Sequence, residues 1–389
     1  GSEEVACEIV KSTHPLYILY TSGTTGKPKG IVRDTGGYVT VLKNSMKQIY
    51  DVNPGEVFWA ASDVGWVVGH SYIVYAPLLN RTTTIVFEGK PVRTPDASTF
   101  WRVINEHKVN VMFTAPTAIR AIKKEDPNGD FIKQYDLSSL RLQFLAGERS
   151  DIASIDWYKT HINIPVIDHC WQTETGWPML ANMAGIELQP YKPGSAGKPV
   201  IGYNIKIFNE SGEELGPNKE GFIVAKLPLP PGTLAGLWQN EQRFKESYLS
   251  QYPAYYFTGD GGYHDEDGNV WVTGRVDDVI NVAGHRLSTS EMEEVVSQHL
   301  EVAECAVVGI EDTLKGQIPV GFAILKNNSE IEHFQLQHEI IQLVRNKIGA
   351  VAALKNIIVV DKLPKTRSGK ILRKLLRDIV DGKNYQIPS

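Results

Sequence analysis

The sequence predicts an α/β protein with a large parallel-sheet domain, a small antiparallel β-barrel-like subdomain and a small α+β C-terminal domain. Three changes of texture along the chain predict it. From Ile18 to about Lys192, short apolar runs alternate with helical patterns, as strands feeding crossover helices do. From about Gly194 to Thr273, glycine, proline and turn pairs crowd around short strands. From Asp278 onward, amphipathic helices and strands return as a separate unit. The boundaries read from these changes are 1–193, 194–276 and 277–389.

In the first region, residues 16–19, 83–87, Val111–Thr114 and 142–146 read as buried strands, with helical stretches at 98–107 and 117–123. Strand–helix alternation argues for a parallel sheet covered on both faces. Ligands of such sheets bind beyond the carboxyl ends of the strands, here Thr21, Thr114-Ala115-Pro116, Gly147-Glu148 and Asp168. The second region offers strands at 221–225 and 269–272. The third offers a helix at 290–299, strands near 306–308 and 320–325, and a helix at 332–348 with Leu336, Ile340, Ile341, Val344 and Ile348 in one stripe. A last helix begins near Lys370, with Ile371, Leu372, Leu375, Leu376 and Ile379 inward.

Composition excludes several classes. Hydrophobic content of 42% and charged content of 22% are ordinary for a globular protein. A net charge of −5 supplies no basic field for nucleic acid. No apolar run reaches transmembrane length and no signal-peptide pattern is present, so no membrane is expected as a partner. Homo-oligomerisation is left open. Cys7, Cys170 and Cys305 are far apart and odd in number, which argues for a reducing compartment, cytoplasmic or mitochondrial matrix. The histidines lack metal-ligand spacing, so no zinc site is expected.

The chemistry concentrates in Tyr20-Thr-Ser-Gly-Thr-Thr-Gly-Lys-Pro-Lys-Gly30. Glycines let backbone amides approach an anion. Hydroxyls donate to phosphate oxygens, and lysines neutralise charge as mobile point cations. This is the chemistry of a loop that wraps a nucleotide triphosphate, although such a loop taken alone is more often a solvated turn, and it is not the P-loop pattern. That pattern needs Gly, four residues, then Gly-Lys-Ser/Thr. Here Thr21 stands five before Gly26, and Pro28 follows Lys27.

Five further stretches follow in order: Trp171-Gln-Thr-Glu-Thr-Gly176, Phe257-Thr-Gly-Asp260, Gly274-Arg-Val-Asp-Asp278, Asn281-Val-Ala-Gly-His-Arg286 and Leu363-Pro-Lys-Thr-Arg-Ser-Gly-Lys370. With the glycine-rich loop they resemble the adenylate-forming superfamily of acyl-CoA synthetases, peptide-synthetase adenylation domains and luciferases. Asp63-Val-Gly-Trp-Val-Val-Gly-His-Ser-Tyr72 and Trp171-Gln172 are similar to its short-chain branch, the acetyl- and propionyl-CoA synthetases. The similarity runs from about Tyr17 to the C-terminus. That branch carries a long segment before the phosphate loop. An upstream part of the large domain is therefore expected to be missing here, with the basic CoA contacts it would hold, and Gly1-Ser2 resembles a cloning scar.

The resemblance implies a ligase that joins a carboxylate to the α-phosphate of ATP and then passes the acyl group to CoA. It implies a phosphate cradle at Thr21, Ser22, Gly23, Thr24, Thr25, Gly26 and Lys27. Thr173 would contact the α-phosphate, and Glu174 would hold Mg2+ as a hard carboxylate ligand. Gly147, Glu148 and Asp168 match the adenine region, although Arg149 stands where the family often has proline, and Gln172 is a further nucleotide-binding position. Asp260 would accept the ribose hydroxyls, with Arg275 as the second ribose or phosphate contact. Lys370 would neutralise charge developing on the α-phosphate. The C-terminal domain would be hinged at Asp277, bringing Gly284, Arg286 and Arg345 to CoA for the second step.

The acid is read from Trp171, which closes the acyl pocket in the short-chain branch. Trp66, Val67, Val68 and Ala146 match the rest of that pocket. Acetate enzymes tend to carry Val-Thr and Val where this chain has Val67-Val68 and Ala146. Both differences favour one more methylene, worth about 1–3 kcal/mol, so propionate is expected to be preferred and acetate accepted. Cys170 departs from a second tryptophan common in the branch. Two alternatives stay open: adenylation with another thiol acceptor, and a non-catalytic nucleotide-binding fragment.

Overall fold

The computed structural model describes residues 5–21, 28–148, 150, 152–283, 285–326, 329–365 and 371–385, with the side chains of Asp277, His285 and Arg286 outside that description. The chain divides into two units. One comprises Gly1–Thr258 and Tyr263–Val272, the other Gly259–Gly262 and Thr273–Ser389.

In the first unit, β1 (Pro15–Thr21) and β2 (Lys29–Asp34) form an antiparallel hairpin, with Thr21 opposite Lys29. The short strand Gly236–Leu237 pairs with the other edge of β2. The expected buried strand at 16–19 is thus a half-buried hairpin arm outside the parallel sheet. Asp34 ends β2 and caps helix α1 (Thr35–Gln48), its carboxylate accepting from Gly37 N at 2.9 Å. Tyr38, Val41, Leu42, Ser45 and Met46 are buried along α1, the i, i+3, i+4, i+7 stripe of a core-facing helix.

The central sheet is parallel. It contains β3 (Val57–Ala60), β4 (Thr83–Thr84), β5 (Val111–Thr114), β6 (Leu142–Leu145) and β7 (Val166–Asp168) in the order β4-β3-β5-β6-β7. Helices Thr99–His107, Pro116–Glu125 and Ile152–Ile162 lie between strands in the sequence, as the crossovers of a parallel sheet do. Alternation sorts the side chains onto two cores. Phe58, Ala60, Val111, Phe113 and Phe144 join the larger cluster with α1, while Trp59, Met112 and Leu145 join Trp101, Ile104 and Ile155 on the other face. The expected strand at 83–87 stops at Thr84. It is the sheet edge, paired only with β3, and beyond it Val86 is 75% exposed. Strands Ile205–Phe208 and Gly221–Lys226 pair antiparallel and begin a four-stranded sheet.

The second unit has a five-stranded sheet. Val302–Asp312 and Gly316–Leu325 form its long antiparallel pair, and Asn356–Val359 adds in parallel to the latter. Cys305 and Val307 face a core with Met292, Leu336 and Ile340, whereas Ala306 and Val308 face Leu363 and Leu376. Helix Arg373–Val380 covers that second face through Leu375 and Leu376. Ile379, expected inward, lies in its last turn and is 47% exposed.

One mostly buried ion pair ties the start of that helix to Glu293 of the helix Thr289–Val296, and through that carboxylate to the sheet. Arg373 donates to Glu293 from Nη2 at 2.7 Å and from Nε at 3.1 Å, and Val307 N donates to the same carboxylate at 2.8 Å. Burial pushes the Glu293 carboxyl above its ordinary range, against the pull of Arg373. Arg373→Met strands a buried carboxylate, so the second unit should lose about 3 kcal/mol. The double variant with Glu293→Gln should recover much of it. Urea melts of the three proteins check this, and equal midpoints for the single and double variants would refute the coupling.

Candidate nucleotide and acyl site

β6 and β7 are neighbours with Leu145 opposite Asp168, so the segments that follow them leave the same edge of the sheet. Ala146, Gly147 and Glu148 follow β6, and His169, Cys170 and Trp171 follow β7. Asp168 accepts from Ser150 N at 3.3 Å through Oδ2. Ala146 falls on the larger-core face, where Trp171 and Val68 also pack. Trp171 stands edge-on to Tyr72, ring centres 5.4 Å apart at 89°, and tilted against Phe113 at 6.2 Å. Tyr72 sits in a π-helical turn, Gly69–Tyr75, that begins directly after Val68; such turns recur at functional sites. Val67 is buried and Trp66 half-buried just before it. The structure therefore gathers Val68, Ala146 and Trp171 in one apolar region.

Behind that region lies His169. Its Nδ1 donates to Leu145 O at 2.7 Å, which leaves Nε2 to accept from Tyr50 Oη at 2.9 Å. Phe113 and Phe144 pack against the ring, and burial pushes its pKa from 6.5 down to about 4. The unfolded imidazole takes up a proton below its ordinary pKa while the folded one stays neutral. Stability should thus be full above about pH 6.5 and fall between there and about pH 4, by about 3 kcal/mol from this group. His169→Gln, which can accept from Tyr50 and donate to Leu145, should flatten that part of the curve. The same slope in both proteins would sink the assignment.

The Thr173-Glu174 loop is held from several sides. Tyr248 Oη donates to Glu174 Oε1 at 2.7 Å, and Lys29 Nζ lies 3.8 Å from the same oxygen. Lys29 also rests over the Tyr248 ring, 4.5 Å from its centre. Thr21 pairs with Lys29, so the strands that flank the segment 22–27 are paired there, and the Lys29 ammonium reaches Glu174. The expected cradle residues Ser22, Gly23, Thr24, Thr25, Gly26 and Lys27 lie outside the described residues, as do Arg149, Gly284 and Lys370. Gln172 braces the loop: its Nε2 donates to Thr258 O at 2.8 Å, and Tyr256 Oη donates to its Oε1 at 2.9 Å. Glu148, expected at the nucleotide, is paired with Arg120 at 2.5 Å on the surface.

Sequence reading missed Arg33. It is wholly buried in β2, and its guanidinium reaches the main-chain carbonyls of Thr173 and Glu174. The available signal was an arginine in step with Ile31 on the inward face of a strand. Tyr248 was missed too. It lies in the helix Glu241–Tyr248, far from every motif, and only the fold brings it to Glu174.

A single, mostly shielded carboxylate suits magnesium that takes its other ligands from phosphates and water, and among the described residues no group of three or more acidic, histidine or cysteine side chains could hold a metal ion by itself. The residues present fit that ion.

In the second unit, Asp260 is nearly buried and Arg275 Nη1 donates to its Oδ1 at 3.2 Å. Gly259, at φ +73°, lies flat on the Arg275 guanidinium, where any Cβ would collide. Asp277 lies in the short 3-10 turn Val276–Asp278, Arg286 in the strand His285–Ser288, and Arg345 on the exposed face of the helix His333–Lys347.

The family model described as AMP-binding enzyme matches residues 2–238, and its companion, the AMP-binding enzyme C-terminal domain, matches 291–370. The chain belongs to the AMP-binding enzyme family. Human acyl-CoA synthetase short-chain family member 3, mitochondrial, is 53% identical over 384 residues, covering 98% of this chain and 56% of that protein. Propionate--CoA ligase of Escherichia coli (strain K12) is 47% identical over 381 residues, covering 96% of this chain and 60% of the ligase. An uncharacterized protein of Pseudomonas aeruginosa is 56% identical over 98% of this chain and 60% of its own length. The chain thus spans somewhat more than half the length of these relatives. Among solved structures, an anthranilate CoA ligase in complex with anthranoyl-AMP superposes with a TM-score of 0.83 at 28% identity, over 97% of this chain and 69% of that one. The α/β architecture is that of this family of adenylate-forming ligases. No helix among the described residues is long and apolar enough to cross a membrane.

Proposed function

We propose that this AMP-binding enzyme chain carries the chemistry of an AMP-forming short-chain acyl-CoA synthetase that prefers propionate and accepts acetate. In the first step a carboxylate oxygen bonds to the α-phosphorus of ATP, and the bond to pyrophosphate breaks. In the second, the CoA sulfur bonds to the acyl carbon, its proton is lost, and AMP leaves. Positioning and charge neutralisation supply most of the rate, since the protein makes no covalent bond itself.

The observation that carries the first step is the hairpin that pairs Thr21 with Lys29 and sets the Lys29 ammonium beside Glu174. It gathers the flanks of the phosphate loop and the sole acidic side chain of the Trp171–Gly176 motif. Glu174 would hold Mg2+, which when bound screens the phosphate oxygens. Lys29 lies on the same carboxylate and can serve the phosphates beside it. Asp168 and Gly147 leave the sheet edge where adenine is expected, and Asp260 with Arg275 forms the ribose clamp. Asp277 is the hinge, and Gly284, Arg286 and Arg345 serve CoA after rotation. The propionate preference rests on Trp171, whose indole fills the space over Tyr72 and Phe113, with Ala146 giving back a little room. Both named short-chain relatives support the acid class. We place the protein in the cytoplasm or the mitochondrial matrix.

ATP–pyrophosphate exchange and CoA-thioester formation, with propionate and acetate, test the reading on this chain. Propionate-dependent exchange and thioester are expected. Exchange without thioester would indicate another acceptor. Nucleotide binding without exchange would support the non-catalytic fragment and overturn the proposal.

A further inference from the structure

We propose that Arg33 is a positioning residue that fixes the Thr173–Glu174 turn, and with it the metal carboxylate, against the strand that carries Lys29, an inference that rests on the role assigned above to Thr173 and Glu174. Arg33 is fully buried, yet its hydrogen bonds among the described residues all go to main-chain carbonyls: Thr173 O at 2.5 Å, Glu174 O at 2.9 Å and Gly232 O at 3.0 Å. Burying a cation against neutral acceptors is a costly way to fill a core, since an apolar residue of similar volume packs without desolvation loss. What a guanidinium adds is a planar fork that fixes two carbonyls at once.

The loop is shaped to the fork. Gly176 sits at φ +76°, and a Cβ there would stand 2.7 Å from Arg33 Cζ, so the turn can lie on the guanidinium only as glycine. Its carbonyl accepts from Ser71 Oγ at 2.6 Å, and Ser71 continues through Tyr38 to Tyr17 of β1. The Tyr38 ring also receives the Arg33 cation, 5.4 Å from its centre. Both hairpin strands therefore hold this one turn.

β2 then acts as a ruler. Lys29, Ile31 and Arg33 alternate onto one strand face. Lys29, next to the segment 22–27, meets the Glu174 carboxylate at 3.8 Å, while Arg33 grips the Glu174 and Thr173 backbone. A strand that feeds directly from the phosphate loop thus carries both restraints on the metal ligand. Loosening the fork should weaken the metal-bridged nucleotide while sparing adenosine, whose expected contacts come from Gly147, Asp168 and Gln172, the last braced by Thr258 and Tyr256 and not by Arg33.

The test measures Mn2+ bound in the presence of ATP, by electron paramagnetic resonance, and metal-free adenosine binding by calorimetry. The proteins are the wild-type chain, Arg33→Met and Arg33→Lys. Replacing a residue that orients a metal ligand typically costs about 10- to 100-fold in metal affinity. Arg33→Met should lose about tenfold or more for Mn2+ with ATP and stay within about twofold for adenosine. Arg33→Lys keeps the charge but not the fork and should fall between. Should Arg33→Met not fold, Arg33→Lys decides. Folded variants that bind Mn2+ with ATP as the wild type does, or that lose adenosine in equal measure, would overturn the role. A wild-type chain that binds no Mn2+ with ATP would instead sink the function proposed above, and this inference with it.

Discussion

Lys370→Ala is expected to lower ATP–pyrophosphate exchange about 1000-fold while changing thioester formation from supplied propionyl-AMP only a few-fold. Charge develops on the α-phosphate in the first step alone, and a preorganised cation aimed at it contributes about 3–4 kcal/mol in such sites. Lys370 follows Thr366-Arg367-Ser368-Gly369 and precedes Arg373, whose pairing with Glu293 anchors the helix Arg373–Val380 on the sheet of its own unit. Measuring the two half-reactions separately checks the role. Equal losses in both would remove Lys370 from the adenylation step. Acylation of its amine should silence exchange for the same reason, because it removes the charge.

Trp171→Gly should move the preferred acid from propionate to acids of about five carbons or more. The indole fills the space against Tyr72 and Phe113, and its removal leaves an apolar recess lined by the cluster that includes Val68 and Ala146. Each methylene that refills it gains about 0.8 kcal/mol. The same deletion should cost folding stability, about 3 kcal/mol or more, since a large aromatic leaves without replacement. A specificity profile over acids of increasing length, with a melting curve to show that the variant is folded, decides the matter. An unshifted optimum in a folded protein would mean that Trp171 does not wall the acyl pocket, and the propionate assignment would lose its main physical support.

Much of the fold was legible because local pattern and global position agree in it. Val111–Thr114 and Leu142–Leu145 are buried on both faces, so their continuous apolar runs announced them. The helix His333–Lys347 showed its stripe because one face meets a core and the other meets solvent. Reading failed where neighbours decide. Thr83–Phe87 is four β-branched residues and a phenylalanine, but only Thr83 and Thr84 find a ladder, since the sheet ends there. Leu16–Leu19 looks like a buried strand by composition, yet the chain places it in a hairpin with one half-open face.

By itself, the sequence determined the family, the order of the motifs and the alternating architecture that carries them. Those depend on residue type and spacing, which a chain displays directly. Only the tertiary structure showed that Arg33 grips the loop of Thr173 and Glu174, that Tyr248 donates to the same carboxylate as Lys29, and that Glu148 turns to Arg120. The reason is physical. A guanidinium held by main-chain carbonyls from a segment far along the chain leaves no residue pattern, because every residue type has a carbonyl to offer.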